Sequence, residues 1–506
     1  MIPTIHGLIT IAIGIWLLTR GGILPVLLGA LAAGVFDASA ALQLPALGGS
    51  TVPPSRVMLA FLLIAVFRAV GQRTGLLADA LRNNGLLLLY ATWGLVAACT
   101  LPFVFAGQAQ VVPMSAGEQI IHLYDVFPLR FTPQNITTPV YMMGTALTAM
   151  VAYVAGRTSQ RPQSIVRLAA ILVWVQVITG IASITLAGTA WDMVVDFIRN
   201  GNYGQLDQYF GDLRRMDGVM SEPSSFASFT FVWFVVCFES WLNDIDPVRS
   251  GLAALAAMVV LMISTSTTAY AAIAIYGLVV AIRLAASARN IPVTKVVVLV
   301  TLGLIGLAAV IALMLLNPEL AAWARNLLEV NTVKKATSAS GLQRAFWARQ
   351  GIDMFLLSHG LGVGPGTFRS SGFVQSVVGS CGVIGCVLFA GYLLQFGIVG
   401  QFGAIDAQKG RLKIARIVGW GAVAVLIPAI LSGPSPDPGA IFASLAGFSI
   451  GLRRPFVALR RQGAHRSPGH PQSAQGQWGQ AEAQPPSRFS EAPAVPRPDA
   501  WRRRAR

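Results

Sequence analysis

Thirteen apolar runs divide the chain, near residues 5–19, 21–37, 57–71, 85–106, 139–155, 167–189, 225–242, 250–264, 266–284, 294–316, 375–402, 414–432 and 439–452. A helix needs about 20 predominantly apolar residues to cross a bilayer, and several runs are shorter, so the pattern predicts an all-α polytopic integral membrane protein with about 12–14 transmembrane helices. Composition agrees. Of 506 residues 54% are hydrophobic and 11% charged, with a mean hydropathy of +0.63, too apolar and too poor in charge for a water-soluble globular protein. The first run lacks a basic region before it and a convincing cleavage site after it, which predicts a retained span.

Basic residues concentrate in cytoplasmic loops of membrane proteins, so they report orientation. Placing alternate connections on one side gathers Arg20, the group Arg68 to Arg82, Arg157 to Arg167, Arg249, Arg283 to Lys295, Lys409 to Arg416 and the C-terminal segment. That is 26 of the 37 Lys and Arg. The N-terminus is then expected outside and the C-terminus inside. Most of the remaining 11 fall in two long external loops, about 190–224 and 317–374. The expected organisation is a membrane domain over 1–452 and a disordered cytoplasmic tail over 453–506, rich in Pro, Gln, Gly and Ser. That tail holds eleven Arg against Glu482, Glu491 and Asp499, half of the net +16. The excess charge therefore points to anionic inner-leaflet lipid and not to nucleic acid.

The sharpest local feature is the junction LRRMDGVMSEPSSFAS, Leu213 to Ser228, where ionic residues abut the apolar stretch Phe226 to Trp241. Charges at the mouth of a hydrophobic segment are costly unless they meet water, each other or a charged ligand. A structural role for Glu222 stands beside a functional one: a partner for Arg214 or Arg215, with Pro223 in the first helical turn and Ser221 as a cap. The external loop at 317–374 is expected to hold a helix from Glu319 to Val330 and another from Leu342 to Leu357. Gly360, Gly362, Gly364 and Gly366 follow in HGLGVGPGTFR. No Gly-Lys-Ser or Gly-Lys-Thr closes that run, so it reads first as a tight turn and only second as a close backbone approach to phosphate.

Other features carry little. Cys99, Cys237, Cys381 and Cys386 all fall in apolar runs without a metal-ligand pattern. Asn135-Ile-Thr137 fits the glycosylation triplet, which arises often by chance. Asp207, Asp212 and Asp217 read as solvated loop charges, as do Arg325, Lys334 and Lys335. No acidic cluster argues for a catalytic metal, and no cofactor is expected.

Two stretches resemble a family. Arg215-x-x-Gly218-x-x-x-Glu222-Pro223-Ser224 before a span looks like the "R..G...EPS" signature of bacterial O-antigen and exopolysaccharide polymerases. Arg349, ten residues, Gly360, then GVGPGTFR and a span reaching Gly382-Val-Ile-Gly385 is similar to a second stretch of the same superfamily, which includes its ligases. The resemblance covers most of residues 1–450. It implies a Wzy-type polymerase with a fold like the GT-C membrane glycosyltransferases. Such an enzyme joins oligosaccharide repeat units carried on undecaprenyl pyrophosphate at the periplasmic face of the bacterial cytoplasmic membrane. A chain-length regulator and a flippase are the expected partners, besides the lipid-linked oligosaccharide and the bilayer.

On that implication Glu222 would activate or position the acceptor hydroxyl with Arg215 beside it, while Arg214, Arg344, Arg349 and Arg369 would hold pyrophosphate. Ligases of the superfamily carry a His just before the span after the large loop, where this chain has Arg369-Ser370-Ser371-Gly372-Phe373. His359 lies too early to take that role, so polymerase is favoured over ligase. The Ser/Thr run Ser264 to Thr268 lacks an arginine that many relatives show there, and reads as a turn that satisfies its own backbone. The rival from another class is a flippase or transporter of lipid-linked sugars, whose charges would lie near mid-bilayer on broken helices. A scaffold without catalytic activity is the third reading.

Overall fold

A computed structural model describes residues 2–47, 49–71, 74–114, 125–201, 209–210, 213–286, 293–316, 339–402 and 409–458. The helix expected at Glu319 to Val330, the residues Arg325, Lys334, Lys335, Asp207 and Asp212, and the tail from 459 lie outside the described residues. In chain order the helices are α1 Ile5–Arg20, α2 Ile23–Ala32, α3 Pro54–Val70, α4 Thr74–Val104, α5 Gln134–Thr158, α6 Ser164–Thr185 and α7 Ala190–Ile198. They continue with α8 Pro223–Leu242, α9 Pro247–Ile263, α10 Thr267–Ala286, α11 Val293–Leu316, α12 Ala339–Leu357, α13 Phe373–Phe402, α14 Lys409–Ser432 and α15 Gly439–Arg453. Among the described residues sheet is confined to short pieces, the largest pairing Leu42–Leu44 with both Ile2–Pro3 and Ser50–Val52 in antiparallel register.

Every apolar run of the sequence falls on one of these helices. Among the described residues, α4, α5, α6, α8, α10, α13 and α14 are the seven helices long and apolar enough to cross a membrane, while α1, α2, α9, α15 and the stretch Val293–Gly306 of α11 are shorter apolar helical segments. Large apolar side chains cover the outside, among them Ile178, Leu252, Leu278 and Leu304. A water-soluble monomer does not expose such a surface, so this is an all-α membrane protein.

The interior is organised around α8, α5 and α15. Phe226, Phe231, Trp233, Val235 and Cys237 are buried on successive faces of α8, so this helix has no outer face and its N-terminus opens in the middle of one end of the bundle. α5 and α15 touch through small residues. A Cβ on Gly447 would fall 2.0 Å from the Ala149 carbonyl oxygen, and one on Gly451 2.2 Å from that of Tyr153. With lipid as apolar as the helices themselves, such close backbone contact is a main source of association.

The two ends of the bundle differ chemically. At one end Glu239 accepts hydrogen bonds from Arg283 and, at 2.7 Å, from Tyr276, while Lys295 pairs with Asp244 at 2.6 Å and Arg157 with Asp79 at 3.2 Å. Arg411 donates to the Ser159 and Gly156 carbonyls at the same end. These are the basic residues that the sequence grouped on one side. Glu222, at the opposite terminus of α8 from Glu239, lies about 25 Å away along the helix at 1.5 Å per residue.

Candidate functional site

Pro223 opens α8 at its first position, and Glu222 is the N-cap residue with extended backbone, φ −151° and ψ 153°. Its side chain does not cap the helix. It accepts a hydrogen bond from Ser224 Oγ at 3.1 Å, and the expected capping by Ser221 is not formed. The loop before it is built into the protein. Asp217 pairs with Arg199 at 3.0 Å, each side chain 4% exposed, and Arg199 also donates to the Gly218 carbonyl at 3.1 Å. Asp217 is thus not a solvated charge: the sequence does not reveal that α7 ends beside it with a buried guanidinium. Gly218 has φ +58°, and a Cβ there would stand 3.0 Å from the Phe226 ring, which accounts for glycine at this motif position.

Arg215 donates to the Thr265 carbonyl at 3.2 Å, which ties the motif to the Ser264–Thr268 turn. Thr265 there holds φ +50° and Ser264 bonds back to Leu261. Burial pushes the Arg215 pKa down, Arg344 adds to this, and Tyr270 and Glu222 oppose it. Arg215 therefore lies within electrostatic reach of both Arg344 and Glu222. Arg214 turns elsewhere, to Asp192 at 3.0 Å, and the Gly188 N–H together with Arg214 lowers the Asp192 pKa.

The downstream motif folds as α12, the glycine-rich turn and the first half of α13. Backbone N–H groups of the turn are already used: Gly362 donates to Ser358 Oγ, Val363 to the Gly379 carbonyl and Gly364 to that of Ser380. A Cβ on Gly366 would lie 2.2 Å from the Gln134 carbonyl oxygen. The turn is a wedge packed between helices and not a phosphate cradle. Asn135 serves the same wedge, donating to the Pro365 carbonyl at 2.9 Å and to Thr367 Oγ1 at 2.8 Å, so its amide is committed inside the protein and does not accept a glycan. α13 breaks at Gly382, φ +62°, and the Trp93 indole N–H caps the Cys381 carbonyl at 2.7 Å.

What the wedge delivers is Arg369. Its N–H donates to the Val112 carbonyl at 2.8 Å, and its own carbonyl accepts from Gln350 at 3.0 Å. The guanidinium carbon sits 4.5 Å from the centroid of the Trp347 ring. Its Nε is enclosed with no hydrogen-bond partner among the described residues. Burial lowers the Arg369 pKa, and the Glu222 charge opposes this.

Glu222, Arg344, Trp347 and Arg369 line one cavity of about 580 Å³, within the range of about 300–1,000 Å³ typical of small-molecule sites. Asp37, Arg56 and Tyr141 line it too, and Arg56 is held by Asp437 at 2.8 Å and by Thr145 at 3.0 Å. Of the residues singled out in the sequence, the fold thus brings together Glu222, Arg344 and Arg369, with Arg215 adjacent. Arg214 and Arg349 do not line the cavity; Arg349 is 83% exposed and faces Asp353 at 3.9 Å. The exposed His359 does not line it either. Sequence reading missed Asp37, Arg56, Tyr141, Trp347 and Asp437. Arg56 left a trace as an external arginine outside both long loops, and Trp347 as the neighbour of Arg344 one turn along α12.

No protein-family model matches the chain, and no curated protein is significantly similar to it.

Proposed function

We propose that the protein is a polysaccharide polymerase that transfers an oligosaccharide from undecaprenyl pyrophosphate to the terminal sugar of a second lipid-linked unit. The reading places the cavity at the periplasmic face of the bacterial cytoplasmic membrane. One observation carries it: two residues remote in sequence, Glu222 and Arg369, from the two stretches that resemble the polymerase superfamily, line one cavity with Arg344.

The chemistry follows from the charges. The bond between the donor's anomeric carbon and its phosphate oxygen breaks as the acceptor oxygen bonds to that carbon, and undecaprenyl pyrophosphate leaves. Arg344 and Arg369 bind the diphosphate oxygens and stabilise the growing negative charge, to which a guanidinium offers a permanent charge in a planar fork. Glu222 takes or orients the acceptor hydroxyl's proton. Arg215 raises the local positive potential from behind. The charged groups lie at one end of the bundle and not midway along it, which favours an enzyme over a transporter. The stretch Arg369 to Phe373 has no histidine, which favours a polymerase over a ligase.

Deleting the gene and resolving the surface glycans tests the assignment. A polymerase mutant makes single repeat units still attached to their carrier or anchor. Long unattached chains would identify a ligase, and donor trapped on the inner leaflet a flippase.

A further inference from the structure

Helix α7, Ala190–Ile198, does not line the cavity, and it has three unlike sides. At 3.6 residues per turn Met193, Val194 and Phe197 share one side, where they are 70%, 45% and 53% exposed. Val195 points the other way and is buried. Asp192 and Asp196, one turn apart, form a third side between these two. A helix resting on a bilayer beside a protein meets three media, lipid, protein and water, and this distribution supplies one side for each. Its nine residues span only about 14 Å, too short to cross a membrane.

The neighbours of α7 say what covers its exposed side. It follows the membrane-crossing helix α6 after a turn of four residues. Ile178, Ile181 and Ile184 of α6 are exposed, as is Leu186 in the turn. At the other end of α7 the Phe197 ring lies 4.7 Å from that of His6, in the first turn of the apolar helix α1, beside exposed Ile5, Leu8 and Ile9. α7 therefore lies at the level where two apolar helices leave the bilayer. It is fixed there. Thr189 Oγ1 accepts from the Trp191 N–H at 3.2 Å, Ser39 Oγ donates to the Ile198 carbonyl at 2.5 Å, and Asn200 Oδ1 accepts from the Ala40 N–H at 2.7 Å. Three large apolar side chains held side by side at that level make a lipid contact.

We infer that α7 is a membrane-surface helix, its Met193, Val194 and Phe197 side seated at the boundary between headgroups and acyl chains of the leaflet at the Glu222 end. The partner is the lipid surface. Asp192 of α7 pairs with Arg214, and Arg199 at its C-terminus pairs with Asp217. The loop carrying Arg215 and Glu222 is thus braced by a helix that rests on lipid, which fixes the height of the Glu222 wall over the membrane, whatever the cavity binds.

The test is a depth measurement on full-length protein in nanodiscs of phosphatidylethanolamine and phosphatidylglycerol. Cys99→Ala and Cys386→Ala remove the accessible thiols, since Cys237 and Cys381 are buried. Nitroxides are attached after Met193→Cys, Val194→Cys, Asp196→Cys or Phe197→Cys, one per protein. Each is read by collision with oxygen, which partitions into lipid, and with a nickel chelate, which stays in water. All four positions are exposed, so the labels leave the packed Val195 side intact. The labels replacing Met193, Val194 and Phe197 are expected about 5–10 Å below the phosphate level, and the label replacing Asp196 at or above it. Equal nickel collision at all four positions would overturn the inference. Shielding of the three apolar positions from both reagents, the mark of a protein cover such as a second copy, would overturn it too. Both results leave the polymerase reading standing.

Discussion

The Arg369 guanidinium lies over the Trp347 ring at 4.5 Å, and this contact makes a half-buried cation tolerable at a cavity wall until an anion arrives. The ring face supplies negative potential worth up to about 2 kcal/mol in a desolvated setting. It leaves the edge of the fork available to phosphate oxygens. Trp347→Ala is expected to lower elongation about tenfold, and Arg369→Lys to lower it further, because an ammonium lacks both the stack and the planar fork. Initial rates in membranes, normalised to protein level, decide this; equal rates for Arg369→Lys and wild type would contradict it.

The Arg199–Asp217 pair locks the loop that carries Arg215 and Glu222. Removing one partner of a buried pair leaves an uncompensated charge and costs about 3–5 kcal/mol. Arg199→Ala is expected to reduce the yield of folded protein and to lower its melting temperature sharply, although neither residue lines the cavity. Size-exclusion profiles and thermal melts in detergent check it.

Asp37 gives the protein a pH dependence of definite sign. Desolvation at the cavity wall holds its folded pKa above the ordinary 3.8 against the pull of Arg56, so the folded state holds the proton more tightly than the unfolded state. Stability then declines as pH rises from the ordinary value through the folded one, by a small amount because Asp37 is exposed and water screens much of the penalty. Asp37→Asn is expected to melt higher than wild type at pH 7, with the gap closing as pH falls towards 3.8. A variant that melts lower at neutral pH would contradict the burial argument.

The tight contact of α5 with α15 leaves no room for a side chain at Gly447, where a Cβ would meet the Ala149 carbonyl oxygen at 2.0 Å. Gly447→Val is expected to abolish the folded protein, whereas Gly277→Ala, at a position with open space around it, is expected to be harmless. Protein levels in isolated membranes separate the two.

Much of the fold is legible in the sequence because apolar runs and basic connections are local signals: every run became a helix, and the basic groups at 157 to 167, 283 to 295 and 409 to 416 include the ion pairs and carbonyl contacts of one end. The site was legible only where it rests on short motifs. Glu222 and Arg369 stand in recognisable strings, but nothing local says that they share a cavity. Asp37, Arg56 and Trp347 join it through packing between helices distant in sequence. Arg214 and Arg349 stand in the same strings, and their directions, towards Asp192 and outward near Asp353, are set by the turn of the backbone and the phase of α12.

The most direct test of a diphosphate gripped by the cavity arginines is the length of surface glycan in cells whose only copy of the protein carries Arg344→Ala and Arg369→Ala together, beside cells carrying Arg349→Ala. The first strain is expected to show single repeat units at normal protein level, and the second to keep most of its polymer. Polymer of ordinary length and yield in the double variant would contradict the account.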